Sequence, residues 1–121
     1  MVAGYAAKQL IEGGLRPGEL HIVSADSSIP YERPPLSKGF LAGKDPEASI
    51  FINTDDFYRK HEIEVQLNCF VDGVDPGRKT IHLRSGAEIG FEKLVVATGA
   101  QVRKLNIGGT KCTDLPAIRA N

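Results

Sequence analysis

Hydrophobic and polar positions along the chain change their spacing several times, and each change marks an element. Between residues 2 and 12, Val2, Ala3, Ala6, Ala7, Leu10 and Ile11 recur at helical spacing, with Lys8, Gln9 and Glu12 on the other side. Gly13-Gly14 ends this predicted helix, as glycine does just past a helix C-terminus. After the Arg16-Pro17-Gly18 turn, Leu20-His21-Ile22-Val23 reads as a short buried strand. Residues 24–49 are polar and proline-rich, too long for a simple connector, and loops of that kind are functional or disordered. Thr54-Asp55-Asp56 supplies an N-cap for a short helix over Phe57 to His61. Ile63, Val65 and Leu67 then alternate with Glu64 and Gln66, the pattern of a strand with one wet face.

Beyond that strand, turn residues set the rhythm. Phe70 to Val74, Asp75-Pro76-Gly77, Thr80 to Arg84, Ser85-Gly86 and Ile89-Gly90-Phe91 predict an antiparallel meander. Leu94-Val95-Val96-Ala97 is a continuous apolar run of the fully buried, parallel type, stopping at Thr98-Gly99. From Gln101 the sequence is irregular and polar as far as Asn121, and no internal repeat is present. This order predicts an α/β nucleotide-binding fold, a Rossmann-like parallel sheet lacking its first strand, with a small antiparallel meander. Both ends look cut, and residues 1–121 are expected to form one partial domain.

Composition narrows the function classes. The 121 residues are enough for one small domain, and 15 acidic residues balance 15 basic ones. No net field therefore favours nucleic acid or an anionic membrane surface as a partner. No apolar run approaches the roughly 20 residues of a membrane helix, and Met1-Val2-Ala3-Gly4 lacks the marks of a secretory signal. Cys69 and Cys112 have no partner at ligand or redox spacing, which fits a reduced, cytoplasmic chain. His21, His61 and His82 have no acidic or cysteine neighbours at metal-ligand spacing, so no metal is expected.

Four features are candidates for chemistry. The small residues Ala3, Gly4, Ala6 and Ala7 let a helix press against a sheet, either as close packing or so that its N-terminus carries a pyrophosphate. Asp26, just after the Leu20–Val23 strand, is either a loop aspartate making a turn bond or an acceptor for a ribose diol. Prolines 30, 34 and 35 stiffen the loop that carries Arg33 and Lys38. An arginine there can hold a pyrophosphate through paired charge-assisted bonds, and a lysine can stabilise a reduced flavin; the alternative is a solvated basic loop. Ala97-Thr98-Gly99 permits close backbone approach by a ligand, or simply ends a strand.

Together these segments resemble the FAD-dependent pyridine nucleotide-disulfide oxidoreductase superfamily, in its monodehydroascorbate reductase and ferredoxin reductase-like branch. Val2-Ala3-Gly4-Tyr5-Ala6-Ala7 looks like the continuation of that branch's G-G-G-x-A-A-G-Y-A-A motif without its glycines. Pro17-Gly18-Glu19-Leu20 and Ile22-Val23-Ser24 are similar to its second strand. Pro30-Tyr31-Glu32-Arg33-Pro34-Pro35-Leu36-Ser37-Lys38 resembles its P-Y-x-R-P-x-L-S-K segment, and Leu94 to Gly99 its strand ending in A-T-G.

The resemblance implies FAD as cofactor and NAD(P)H as co-substrate of a longer parent protein. It implies that Val2 and Ala3 border the pyrophosphate, that Asp26 holds the adenosine ribose, and that Arg33 and Lys38 contact FAD with Lys38 near the flavin. Val71 would meet adenine through its backbone, Ala97, Thr98 and Gly99 would pass under the cofactor, and Arg119 would make a later FAD contact. Electrons would pass from NAD(P)H through FAD to a small acceptor or a ferredoxin- or rubredoxin-type iron–sulfur partner. The loop has no redox cysteine, which points away from a disulfide reductase or NADH oxidase. A non-catalytic nucleotide-binding module of the apoptosis-inducing-factor-like type is the other reading. The phosphate-cradling glycines, the NAD(P)H domain and the C-terminal interface domain are not in this sequence, so the chain by itself is expected to be inactive.

Overall fold

A computed structural model describes residues 1–100. Helix α1, Val2–Glu12, is followed by strand β1, His21–Val23, helix α2, Asp55–Lys60, and strand β2, Glu64–Gln66. Strands β3, Val71–Asp75, β4, Thr80–Leu83, and β5, Glu88–Gly90, complete the order. β1 and β2 pair in parallel with Ile22 opposite Val65, and the other three form an antiparallel sheet in the order β3-β4-β5. The parallel pair with its helices and the separate meander give the expected mixed α/β, Rossmann-like class.

Ala7, Ile22, Tyr58 and Ile63 form the core beside the parallel pair, with Ala3, Ile11, Leu20 and Val65 packed against it. The helix buries a narrower stripe than its spacing predicts. Gly4 and Ala7 are buried, whereas Val2 and Leu10 face solvent. Gly4 is needed here, because a Cβ on it would stand 2.9 Å from Pro30 Cβ and 3.1 Å from Ile52 Cδ1. Close approach is locked by the buried Asn53, whose Nδ2 donates to the Gly4 carbonyl at 2.8 Å.

The cap at Thr54 forms as predicted, its hydroxyl accepting from the Phe57 amide at 3.3 Å. Helix α2 starts two residues earlier than expected, so Asp55 and Asp56 sit in its first turn, where carboxylates suit the helix dipole. The long loop is built from two short 3₁₀ turns, Pro34–Ser37 and Glu47–Ile50, and a bridge between Tyr31 and Phe51.

One expectation fails. Leu94-Val95-Val96-Ala97 is not a buried strand: Val95 and Val96 are 63% and 68% exposed, and no ladder forms there. An apolar run becomes a buried parallel strand only when a neighbour satisfies its amides and carbonyls, and no described strand lies beside this one. Arg119 falls outside the described residues.

Candidate functional site

The C-terminal end of β1 gathers several of the sequence candidates. Helix α1 begins without a side-chain cap and with no acidic residue in its first turn, so the amides of Val2 and Ala3 lack the usual capping carboxylate. A helix start of this kind favours an anion. The Met1 amine beside it has its pKa lowered, first by burial and then by Arg33, with Asp26 acting in the opposite direction. Met1, Arg33 and Asp26 therefore lie within electrostatic reach of one another.

Asp26 lies three residues past the end of β1 and is held firmly. Its Oδ1 accepts from the Ser27 amide at 2.9 Å and its Oδ2 from the Tyr31 hydroxyl at 3.0 Å. Its backbone amide donates to Ser24 Oγ at 3.1 Å, and its carbonyl accepts from Asn68 at 2.8 Å. The Ser24 carbonyl accepts from Cys69 at 2.8 Å, so the approach to β3 starts beside Asp26. Val71 opens β3 two residues later, 40% exposed, across a register shift between Val71 and Gly73.

Arg33 is exposed at the start of the Pro34–Ser37 turn, where Pro34 and Pro35 fix its entry. A Cβ built on Gly99 would lie 4.0 Å from Arg33 Nη1, and Gly99 adopts a φ of +70°. The chain after Leu94–Ala97 thus returns to Arg33 although it makes no strand. Lys38 is exposed at the far end of the same turn, its amide donating to the Pro35 carbonyl at 3.0 Å. Ala97 and Thr98 are also exposed. The structure brings Val2, Ala3, Asp26, Arg33 and Gly99 to one region, with Val71 reached through the Asn68–Cys69 contacts; Lys38 lies further along its loop.

Two residues of this region have roles that the sequence reading missed. Tyr31 is 5% exposed and bonds Asp26; the signal for it was its place between Pro30 and Arg33. Its phenol pKa is raised by burial and by the Asp26 carboxylate, against the opposing charge of Arg33. Tyr5 donates a hydrogen bond to Glu32 and has its own pKa raised by it, joining α1 to the loop. Among the described residues no cluster of His, Cys, Asp and Glu is arranged for a metal ion.

An uncapped helix start, an arginine and a pinned carboxylate within one region suit a ligand with a diphosphate and a ribose diol. FAD carries both groups, so the residues present fit it.

Comparison with known proteins gives the same answer. The family model for pyridine nucleotide-disulphide oxidoreductases matches residues 2–119. Rubredoxin-NAD(+) reductase of Pseudomonas putida is 36% identical over 85% of this chain and 27% of its own length. The peroxisomal monodehydroascorbate reductase 4 of Arabidopsis thaliana is 38% identical over 94% of this chain and 25% of its own. The crystal structure of the covalent putidaredoxin reductase–putidaredoxin complex matches with a TM-score of 0.78 and 31% identity, over 86% of this chain and 25% of the matched one. The chain therefore spans about a quarter of the length of these relatives, between 25% and 27%. With the family model covering nearly all of it, the chain belongs to the pyridine nucleotide-disulphide oxidoreductase family.

Proposed function

We propose that residues 1–121 are part of the FAD-binding domain of an NAD(P)H-dependent oxidoreductase. Electrons would pass from NAD(P)H through FAD to a small acceptor or to a ferredoxin- or rubredoxin-type iron–sulfur protein. The observation that carries this reading is the convergence of the α1 N-terminus, Asp26 and Arg33 at one end of β1. Rubredoxin-NAD(+) reductase and putidaredoxin reductase among the relatives support the choice of acceptor.

Each residue then has a task. The Val2 and Ala3 amides and the Arg33 guanidinium bind the pyrophosphate, with Arg33 offering paired charge-assisted bonds. Asp26 accepts from the adenosine ribose, and the backbone at Val71 borders adenine. Ala97, Thr98 and Gly99 leave room beneath the cofactor, Lys38 stands near the flavin, and Arg119 adds a further contact. When bound, the flavin supplies hydride acceptance and single-electron release. The chain's own contribution is placement and charge, with no acid–base residue among these positions.

No helix of the described residues is long and apolar enough to cross a membrane. Two cysteines with no partner at redox spacing support a reducing compartment, which we propose is the cytoplasm, and the balanced charge favours neither nucleic acid nor an anionic membrane surface as a partner.

Titrating FAD and following flavin fluorescence tests the reading. Saturable binding by the wild-type chain, weakened on the order of tenfold in Arg33→Ala, is expected from loss of a charge-assisted contact. Binding that is unaffected by Arg33→Ala and by Asp26→Asn would count against it.

A further inference from the structure

We propose that Tyr31 is a positioning residue that holds the Asp26 carboxylate ready for the two hydroxyls of an adenosine ribose. The proposal rests on the FAD reading above and adds to it a residue which that reading does not use.

Asp26 is restrained beyond the needs of a loop aspartate. Its backbone amide and carbonyl are both hydrogen-bonded, and each carboxylate oxygen accepts one bond, from Ser27 N or from the Tyr31 hydroxyl. A carboxylate offers about four acceptor positions, so one on each oxygen stays available to a diol. The Ser27 contact is the local turn bond that any such loop can make. The Tyr31 contact is different, because it comes from a ring that is 5% exposed and fixed from behind.

That fixing is explicit. Tyr31 pairs with Phe51 in an isolated antiparallel bridge. On either side of it, Glu32 donates to the Ile50 carbonyl at 2.7 Å and Ile52 to the Pro30 carbonyl at 3.2 Å. An aromatic side chain on such a backbone has few rotors to freeze, so its hydroxyl reaches Asp26 in one geometry. The Arg33 charge acts on the same phenol, opposing the Asp26 carboxylate, so Tyr31 stands between the acidic and basic arms of the site. Placing the carboxylate in advance lowers the ordering cost of binding.

The test compares ADP with 2′-deoxy-ADP by amide NMR titration at millimolar ligand, in wild type, Tyr31→Phe and Asp26→Asn. Wild type should prefer ADP by roughly five- to tenfold, the worth of a hydrogen bond to a charged acceptor in a partly wet site. Tyr31→Phe keeps the ring, and its preference should fall to about twofold with an unchanged fold by circular dichroism. If Asp26→Asn abolishes the preference while Tyr31→Phe retains it, Tyr31 has no positioning role and the FAD reading stands. If wild type shows no preference, or binds neither nucleotide, both fail together. A ligand-free check follows the Tyr31 ring carbon signal against pH. Asp26→Asn should lower the phenol pKa by removing the adjacent carboxylate, and an unmoved titration would also overturn the proposal.

Discussion

Asn53→Ala should loosen the helix that carries the anion-binding end of the site, and the size of the effect can be worked from its contacts. Asn53 is 8% exposed, and its Nδ2 lies 2.8 Å from the Gly4 carbonyl and 3.4 Å from the Tyr58 hydroxyl. Losing the shorter bond costs about 1 kcal/mol, and leaving buried polar atoms without their partner brings the total to roughly 2–3 kcal/mol. Against a domain stability of roughly 5–10 kcal/mol, that is a large share. In urea, with a slope of about 1–1.5 kcal/mol/M for a chain of this size, the midpoint should fall by roughly 2 M. Far-UV circular dichroism reads the transition. The same change should raise the Tyr58 phenol pKa further, since burial raises it and the Asn53 hydrogen bond opposes that rise. A midpoint within about 0.3 M of wild type at unchanged slope would refute the claim that Asn53 fixes α1.

Two further perturbations test the packing and the meander. Gly4→Ala places a Cβ 2.9 Å from the rigid Pro30 ring carbon, so overpacking of about 1–3 kcal/mol should exceed the gain of up to about 1 kcal/mol in helix propensity. The urea midpoint should fall, and a rise would show that the helix has room to spare. Asp75 Oδ1 accepts from the Arg78 and Gly77 amides, both at 2.9 Å, and these hold its pKa below the ordinary 3.8. A depressed carboxylate pKa contributes stability above its unfolded value and loses it as the pH falls through the folded value. Acidification below about pH 4 should therefore destabilise wild type more than Asp75→Ala, as read by thermal unfolding at a series of pH values. Parallel pH profiles for the two proteins would contradict this.

Local signals in the sequence were enough for most elements. Ile63 and Val65 alternate with polar residues because one face of the β2 segment meets the core, and Thr54 marks a helix start because its hydroxyl replaces a missing backbone partner. Asp75-Pro76-Gly77 and Ser85-Gly86 mark the corners of the meander for the same reason: each meets a local backbone demand. Signals that depend on distant partners were harder to read. Leu94–Ala97 has the composition of a buried strand, yet a parallel strand is defined by its neighbours, and composition does not reveal whether one is present. Likewise, Asn53 meets Gly4 across a sequence separation of 49 residues, and a single asparagine has no periodicity to announce that contact.

The site was legible in a different way. Asp26 had an equally plain reading as a solvated loop residue and Arg33 a rival one, and family resemblance gave them their expected roles. Their common location near the α1 start is a product of folding, since Asp26 lies three residues past the end of β1 and the proline loop turns Arg33 back towards it. Tyr31 sits inside the very segment that carries the resemblance, but its pairing with Asp26 is a three-dimensional fact.

The central claim is that one end of β1 holds the adenosine and pyrophosphate part of FAD, and an amide NMR titration of the 121-residue chain with FAD tests it most directly. The largest shift changes should fall on Val2, Ala3, Asp26, Arg33, Val71 and Gly99, and ADP should reproduce most of them. Changes centred elsewhere, or none at millimolar FAD, would contradict the account.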